Sequence, residues 1–283
     1  MKTRLFRDAA VIAAGSMLAG RTVRRVVAMH DTPDGAILRK KLQWLKRKWR
    51  VVASDAFVSA KQASRPMVCL TFDDGYRNWH EVAAPILEEL EIPAIFFVTS
   101  GFVGLPPQAA RDFVRSRLKR QRRLQPLQVS QLRELASHHL FEIGSHTRSH
   151  ADLGRQLGQA ELEAEIQEDR EQIEDWIGER IRWFAFPFGG PANISRQACN
   201  YLRQSGFKGS FTLVPQSFQP GQNLFGIGRD SLEADASNRL WSAWLHGGYD
   251  ALYRLKSRLK GTPVLDLEAW GLSSNPSGGD TKS

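Results

Sequence analysis

Residues 67–75 read Met-Val-Cys-Leu-Thr-Phe-Asp-Asp-Gly. The first six form a short, largely apolar run that ends at two acids and a glycine, the pattern of a strand stopped by a turn. Upstream, Val26-Val27-Ala28-Met29 is a similar run ending in His30-Asp31-Thr32-Pro33. Between the two, Leu38, Leu42, Leu45 and Trp49 recur at helical spacing and lead into the short strand Val51-Val52-Ala53. Downstream, a helix over 82–90 precedes a strand at 94–98, a helix over 132–137 precedes one at 141–144, and an amphipathic helix over 160–177 precedes one at 183–186. A helix over 195–205 leads to short strands around 209–213 and 225–227. Repeated strand-then-helix units predict a parallel sheet with connecting helices, open or closed into a barrel, with its chemistry at the carboxyl ends of the strands. Residues 101–128, polar, basic and weakly patterned, read as an excursion that forms a lid or contact surface.

At 283 residues the chain suits a single catalytic domain. Its hydrophobic fraction of 42% and charged fraction of 24% exclude wholesale disorder and a multispanning membrane protein. A net charge of +9 favours anionic partners, yet the basic runs at 21–25, 39–50 and 115–123 match no nucleic-acid-binding module, so none is expected. Cys69 and Cys199 read as buried thiols rather than a disulfide framework. No glycine-rich nucleotide fingerprint follows any strand. Residues 1–25 form a basic and apolar segment, interrupted by Asp8 and rich in alanine and glycine rather than leucine. That composition predicts a retained helix that touches a membrane surface through its basic flanks, in a cytoplasmic protein; a cleaved export signal is the alternative. The catalytic domain is expected over 26–272, followed by a Gly/Ser-rich flexible tail at 273–283.

Four segments carry candidate chemistry. Asp73 and Asp74 are adjacent at a strand end, so they point differently and can take different tasks, one binding a cation and the other acting as general base. His146 and His150, separated by three residues after the strand at 141–144, have the spacing to meet one metal, and with an aspartate they make the open three-ligand shell of a hydrolytic zinc site. In Phe184-Ala185-Phe186-Pro187-Phe188-Gly189-Gly190 a fixed turn follows an aromatic strand, a setting that holds backbone amides toward an oxyanion. His30, also just past a strand, is placed to donate a proton to a leaving amine. His80, His138, His139 and His246 lack a comparable setting.

Taken in order, Thr-Phe-Asp-Asp-Gly at 71–75, Ser-His-Thr-Arg-Ser-His at 145–150 and Phe-Pro-Phe-Gly at 186–189 resemble the leading motifs of the polysaccharide deacetylase family. The resemblance spans roughly residues 26 to 230. It implies a distorted (β/α) barrel with about seven strands, short of the regular eightfold fold, and a divalent metal, usually zinc. By motif match Asp74, His146 and His150 are the metal ligands and Asp73 the base that takes a proton from the attacking water. Pro187 shapes the oxyanion turn and the Phe188 amide serves the oxyanion. The implied reaction removes acetyl groups from an N-acetylated glycan: a polysaccharide, a peptidoglycan strand or a lipid-linked sugar, the last favoured by the basic N-terminal region. Two departures stand out. The family's arginine two residues before the motif proline is Ala185 here, so Asp73 must be oriented from elsewhere. A C-terminal Leu-x-x-His is not evident either, and Val-Val-Ala-Met-His-Asp at 26–31 resembles the opening strand of exopolysaccharide deacetylases, which makes His30 the acid. The rival readings are an amide hydrolase for a small non-sugar substrate and an inactive glycan-binding protein.

Overall fold

The computed structural model describes residues 2–18, 22–32, 34–61 and 64–260; the tail expected at 273–283 lies outside them. The strands are β1 (Arg24–Met29), β2 (Arg50–Val51), β3 (Met67–Asp74), β4 (Ala94–Val98), β5 (Phe141–Ser145), β6 (Trp183–Ala185), β7 (Gly209–Phe211), β8 (Phe225–Ile227) and β9 (Asp230–Ser231). The helices are α1 (Lys2–Leu18), α2 (Gly35–Lys48), α3 (Ser54–Ser59), α4 (Ala84–Glu89), α5 (Pro107–Ser116), α6 (Val129–Ser137), α7 (Gln159–Leu162), α8 (Glu168–Ile177), α9 (Arg196–Gln204), α10 (Asn238–Leu245) and α11 (Gly248–Lys260).

One parallel sheet runs in the order β8-β7-β6-β5-β4-β3-β1-β9, with β2 paired beside the start of β3. Its two ends are neighbours along the chain: β8 pairs with β7, β9 pairs with β1, and only Gly228 and Arg229 separate β8 from β9. The sheet is therefore curled into a distorted (β/α) barrel closed through a two-residue junction, as the strand–helix alternation predicts. Seven strands, β1 and β3 to β8, have three residues or more, while β2 and β9 have two each.

Alternation along the strands divides the core. Val26, Met67, Cys69, Ile95, Phe97, Trp183, Ala185, Phe211 and Ile227 pack together inside the barrel. Val68, Leu70, Phe72, Phe96, Val98 and Phe184 join the larger core beneath the helices. The period of two in a strand continues the inner register of β3 through Thr71 to Asp73 and the outer one to Asp74.

Several boundaries differ from the sequence expectations. β3 runs through Asp73 and Asp74, which sit opposite Phe97 and Val98 of β4, so the ladder outlasts the apolar run. The strand expected at 51–53 is reduced to Arg50–Val51, and α3 follows it. The excursion at 101–128 contains α5, whose buried Ala110 and Val114 lie four apart among basic neighbours that mask the periodicity. The helices expected near 82–90 and 160–177 each include a π turn, at Trp79–Ala83 and Glu163–Gln167. Helix α1 packs on α10 and α11. A Cβ added to Gly15 would lie 2.4 Å from the Ala243 Cα, and one added to Gly248 would lie 2.4 Å from the Val11 carbonyl oxygen, so the absence of side chains permits the contact. No helix among the described residues is long and apolar enough to cross a membrane.

Candidate active site

The end of β3 lifts both acids to the rim. Asp73 is buried and meets Arg229 in a two-pronged pair, with Nη1 donating to Oδ1 at 2.7 Å and Nη2 to Oδ2 at 2.8 Å. Arg229 is itself fixed by donating to the Thr71 hydroxyl at 2.9 Å and the Thr212 carbonyl at 3.0 Å. The residue that orients Asp73 in place of the family arginine is therefore Arg229, in the junction that closes the barrel. Burial opposes the charge on Asp73, but Arg229, with His146 and His30 nearby, outweighs it and holds the carboxyl below its ordinary range. Asp74 takes φ +95°, a conformation rare outside glycine and common where structure imposes strain at a site. The Tyr76 hydroxyl donates to its Oδ2, which leaves Oδ1 toward the histidines.

The loop after β5 supplies those histidines. His146 Nε2 lies 3.6 Å and His150 Nε2 3.3 Å from Asp74 Oδ1. The donor atoms of the three buried residues lie within 4.8 Å of one another. His146 Nδ1 lies 2.7 Å from the Ala185 carbonyl; as the donor in that bond it leaves Nε2 with a free lone pair, the arrangement metal-ligating imidazoles use. Two nitrogens and a carboxylate oxygen, converging and buried, fit a divalent cation. Burial again opposes charge at Asp74, and the hydrogen bonds of His146 and His150 overcome it and hold the carboxyl well below its usual value. For His146 burial disfavours the cation, while Asp74 and Asp73 raise its pKa.

Local structure explains why this loop holds its shape. Thr147 and His150 have φ of +64° and +55°, so the turn depends on outside support. The π turn before α8 provides it: Glu165 accepts from the Ser149 N–H at 2.9 Å and the Ser149 hydroxyl at 2.6 Å, and the Glu165 carbonyl accepts from the Arg148 N–H. Below, Asp169 accepts from the Ser100 N–H at 3.0 Å and the Ser145 hydroxyl at 2.5 Å, joining the ends of β4 and β5, and burial pushes its carboxyl up to about 6.

One cavity of about 330 Å³ is lined by His30, Asp73, Asp74, His146, His150, Phe188, Leu213 and Ser231, with Leu118, Lys119 and Arg120 from the excursion. Every residue singled out in the sequence except Pro187 thus faces this one cavity. His30 is held there by its backbone, whose carbonyl accepts from Trp79 Nε1 at 2.9 Å. Pro187 is buried. Phe188, at φ +60°, packs its ring edge-on to His150 at 4.7 Å, and its N–H has no acceptor among the described residues. The next residue, Gly189, has no room for a side chain, since an added Cβ would lie 2.5 Å from the Leu213 nitrogen. The unassigned histidines lie elsewhere: His80 beside Glu134, and His246 against Trp49. The sequence reading missed Arg229, Tyr76 and Glu165. The only signal for Arg229 was an arginine just past the strand at 225–227.

A parallel barrel with a buried Asp–His–His group at its carboxyl rim and a second, arginine-held aspartate beside it defines a candidate metal-dependent hydrolase site. The polysaccharide deacetylase model matches residues 60–210, more than half of the 283-residue sequence, and the chain belongs to that family. It is 25% identical over 185 residues to the poly-beta-1,6-N-acetyl-D-glucosamine N-deacetylase of Staphylococcus aureus (strain MRSA252), covering 62% of this chain and 58% of that one. Its fold is similar to that of IcaB from Ammonifex degensii, with a TM-score of 0.63 at 22% identity over 80% of this chain and 98% of that one. It is also similar to a de-N-acetylase from Aggregatibacter actinomycetemcomitans, with a TM-score of 0.61 at 22% identity over 78% and 99%. The chain spans about three fifths of the length of the curated relatives it matches. His30 and Arg229 both fall outside the matched 60–210.

Proposed function

We propose that the protein hydrolyses N-acetyl groups on a glycan, releasing acetate and leaving an amine, with zinc as the divalent cation held by Asp74, His146 and His150. The observation that carries this reading is the clamped, charged Asp73 in the same cavity as the Asp–His–His group. When bound, such a cation acts as a Lewis acid toward water and an acyl oxygen. Asp73, kept ionised by Arg229, accepts the proton of the attacking water. The Phe188 N–H donates to the oxyanion that develops on the acetamide. His30, which lines the same cavity, donates the proton that lets the amine leave. The Phe188 ring and Leu213 give the acetyl group and sugar an apolar wall.

The Staphylococcus relative supports a polymer of N-acetylglucosamine as substrate. The basic N-terminal segment supports a setting at the cytoplasmic face of a membrane or on a lipid-linked sugar, and binding to anionic vesicles that ignored salt would count against that setting. Acetate release from a panel of N-acetylated glycans and acetylated polyamines, by the zinc-loaded protein, tests the reaction. Wild type should release acetate from glycans, and Asp73→Asn should lower the rate about 10²–10⁴-fold while zinc still binds; His146→Ala should lose zinc and rate together. Release from polyamines alone would move the activity to small amides, and glycan binding without release would leave a binding protein.

A further inference from the structure

Leu118, Lys119 and Arg120 line one side of the candidate active-site cavity, and the chemistry above uses none of them. The stretch that follows them is tied to the ends of β1 and β3. Arg122 pairs with Asp31, the neighbour of His30, at 2.6 Å. Tyr76 and Pro126 form an antiparallel bridge, the Arg77 N–H donates to the Gln125 carbonyl at 2.8 Å, and the Leu127 N–H donates to the Gly75 carbonyl at 2.9 Å. Just before these ties Leu118 is buried as an anchor. Lys119 takes φ +56°, a left-handed turn that a non-glycine residue adopts only where its surroundings impose it. The turn leaves two consecutive cations on the cavity wall.

Among the residues that line the cavity, neither cation has an ion-pair partner. The Asp31 carboxylate is matched by Arg122 and that of Asp73 by Arg229, while Asp74 faces His146 and His150. No ion pair among the described residues involves Lys119 or Arg120, and within the cavity the Asp73 carboxylate is already held by Arg229. A neutral sugar would leave both cations without an acceptor of matching charge. A phosphate or carboxylate would meet a lysine point charge beside a guanidinium fork, the combination that binds oxyanions best. Lys119 and Arg120 line the same cavity as Asp73 and Asp74, which puts the anion on the reacting sugar or on its immediate neighbour.

We infer that the pocket takes an N-acetylated sugar bearing an anionic group, phosphate or carboxylate, next to the reacting residue, with Lys119 and Arg120 as the recognition pair. This rests on the deacetylase reading of the same cavity. The test compares kcat/KM for three substrates: a neutral N-acetylglucosamine oligomer, an N-acetylglucosamine phosphate ester and an N-acetylglucosamine–uronate disaccharide. Wild type should favour an anionic substrate by about tenfold or more. Lys119→Ala combined with Arg120→Ala should cut that preference about 10–100-fold, mainly through KM, the range expected for losing charged hydrogen bonds. Added salt should shrink the preference in wild type, and Lys256→Ala, which removes an exposed charge on α11, should keep it. The better of the two anionic substrates distinguishes phosphate from carboxylate. A wild-type preference for the neutral oligomer, or a preference that survives in the double variant, overturns the inference. If no substrate releases acetate, the deacetylase reading fails on its own, and equilibrium binding of the phosphate ester decides: binding lost in the double variant upholds the pair's role, and equal binding overturns it.

Discussion

A carboxylate buried as Asp73 is loses its charge unless a cation faces it, and Arg229 faces it with hydrogen bonds of 2.7 and 2.8 Å. Replacing that cation by Arg229→Met leaves burial opposed only by His146 and His30. The Asp73 pKa then rises, the carboxyl is protonated at a higher pH, and the base form disappears earlier on acidification. The acid limb of the kcat/KM profile should move up by one pH unit or more, and denaturant unfolding should show a loss of about 3–5 kcal/mol for breaking a buried pair. Arg229→Lys, which keeps charge but not the fork, should fall between; an unmoved acid limb in both variants would remove Asp73 from the role of base. Asp73, Asp74, His146, His150 and His30 were legible in the sequence because each lies at or just past the end of a strand, where a parallel sheet gathers chemistry. Arg229 was not, because its contact with Asp73 spans 156 positions and no local spacing encodes it; Ala185 showed only that something else had to act.

The loop from His146 to His150 cannot hold itself, with Thr147 and His150 both left-handed, and it rests on the π turn at Glu163–Gln167. Glu165→Ala should free the Ser149 N–H and hydroxyl and loosen both histidines, lowering zinc affinity about 10–100-fold, as loss of supporting contacts around metal ligands does. Chelator competition reads this directly, and an unchanged affinity would show that the loop is held by Arg148 and Asp169's partners instead. The contact of α1 with α10 depends on the bare backbone of Gly15. Gly15→Leu should force the helices apart and cost about 1–3 kcal/mol in chemical denaturation; no change would mean that α1 contributes little to stability. Strand positions were legible because buried parallel strands are nearly continuous apolar runs. Helix α5 was not, since Arg111, Arg115 and Arg117 obscure the spacing of Ala110 and Val114, and π turns leave no mark in apolar periodicity.

For the molecule as a whole, a cation at Asp74, His146 and His150 binds only the folded chain, because unfolding separates residues from β3 and the loop after β5. Zinc at about 100 times its Kd should therefore add about 2.7 kcal/mol to unfolding, seen as a rise in Tm that Asp74→Ala abolishes. A Tm indifferent to zinc would remove the metal site. The barrel class was legible from the alternation of strands and helices, but the sheet order was not: β3 lies between β1 and β4 with β2 set aside, a matter of which apolar faces fit. The closing junction at Gly228 and Arg229 also has a consequence in time. On a ribosome adding about 5–20 residues per second, Arg229 follows Asp73 by 156 positions, a delay of roughly 8–30 s. Throughout that interval Asp73 lacks its guanidinium partner, so burying it early is unfavourable. The stretch from β8 to β9 delivers the missing wall and the missing cation together, so a growing chain is expected to close only once that stretch has been made.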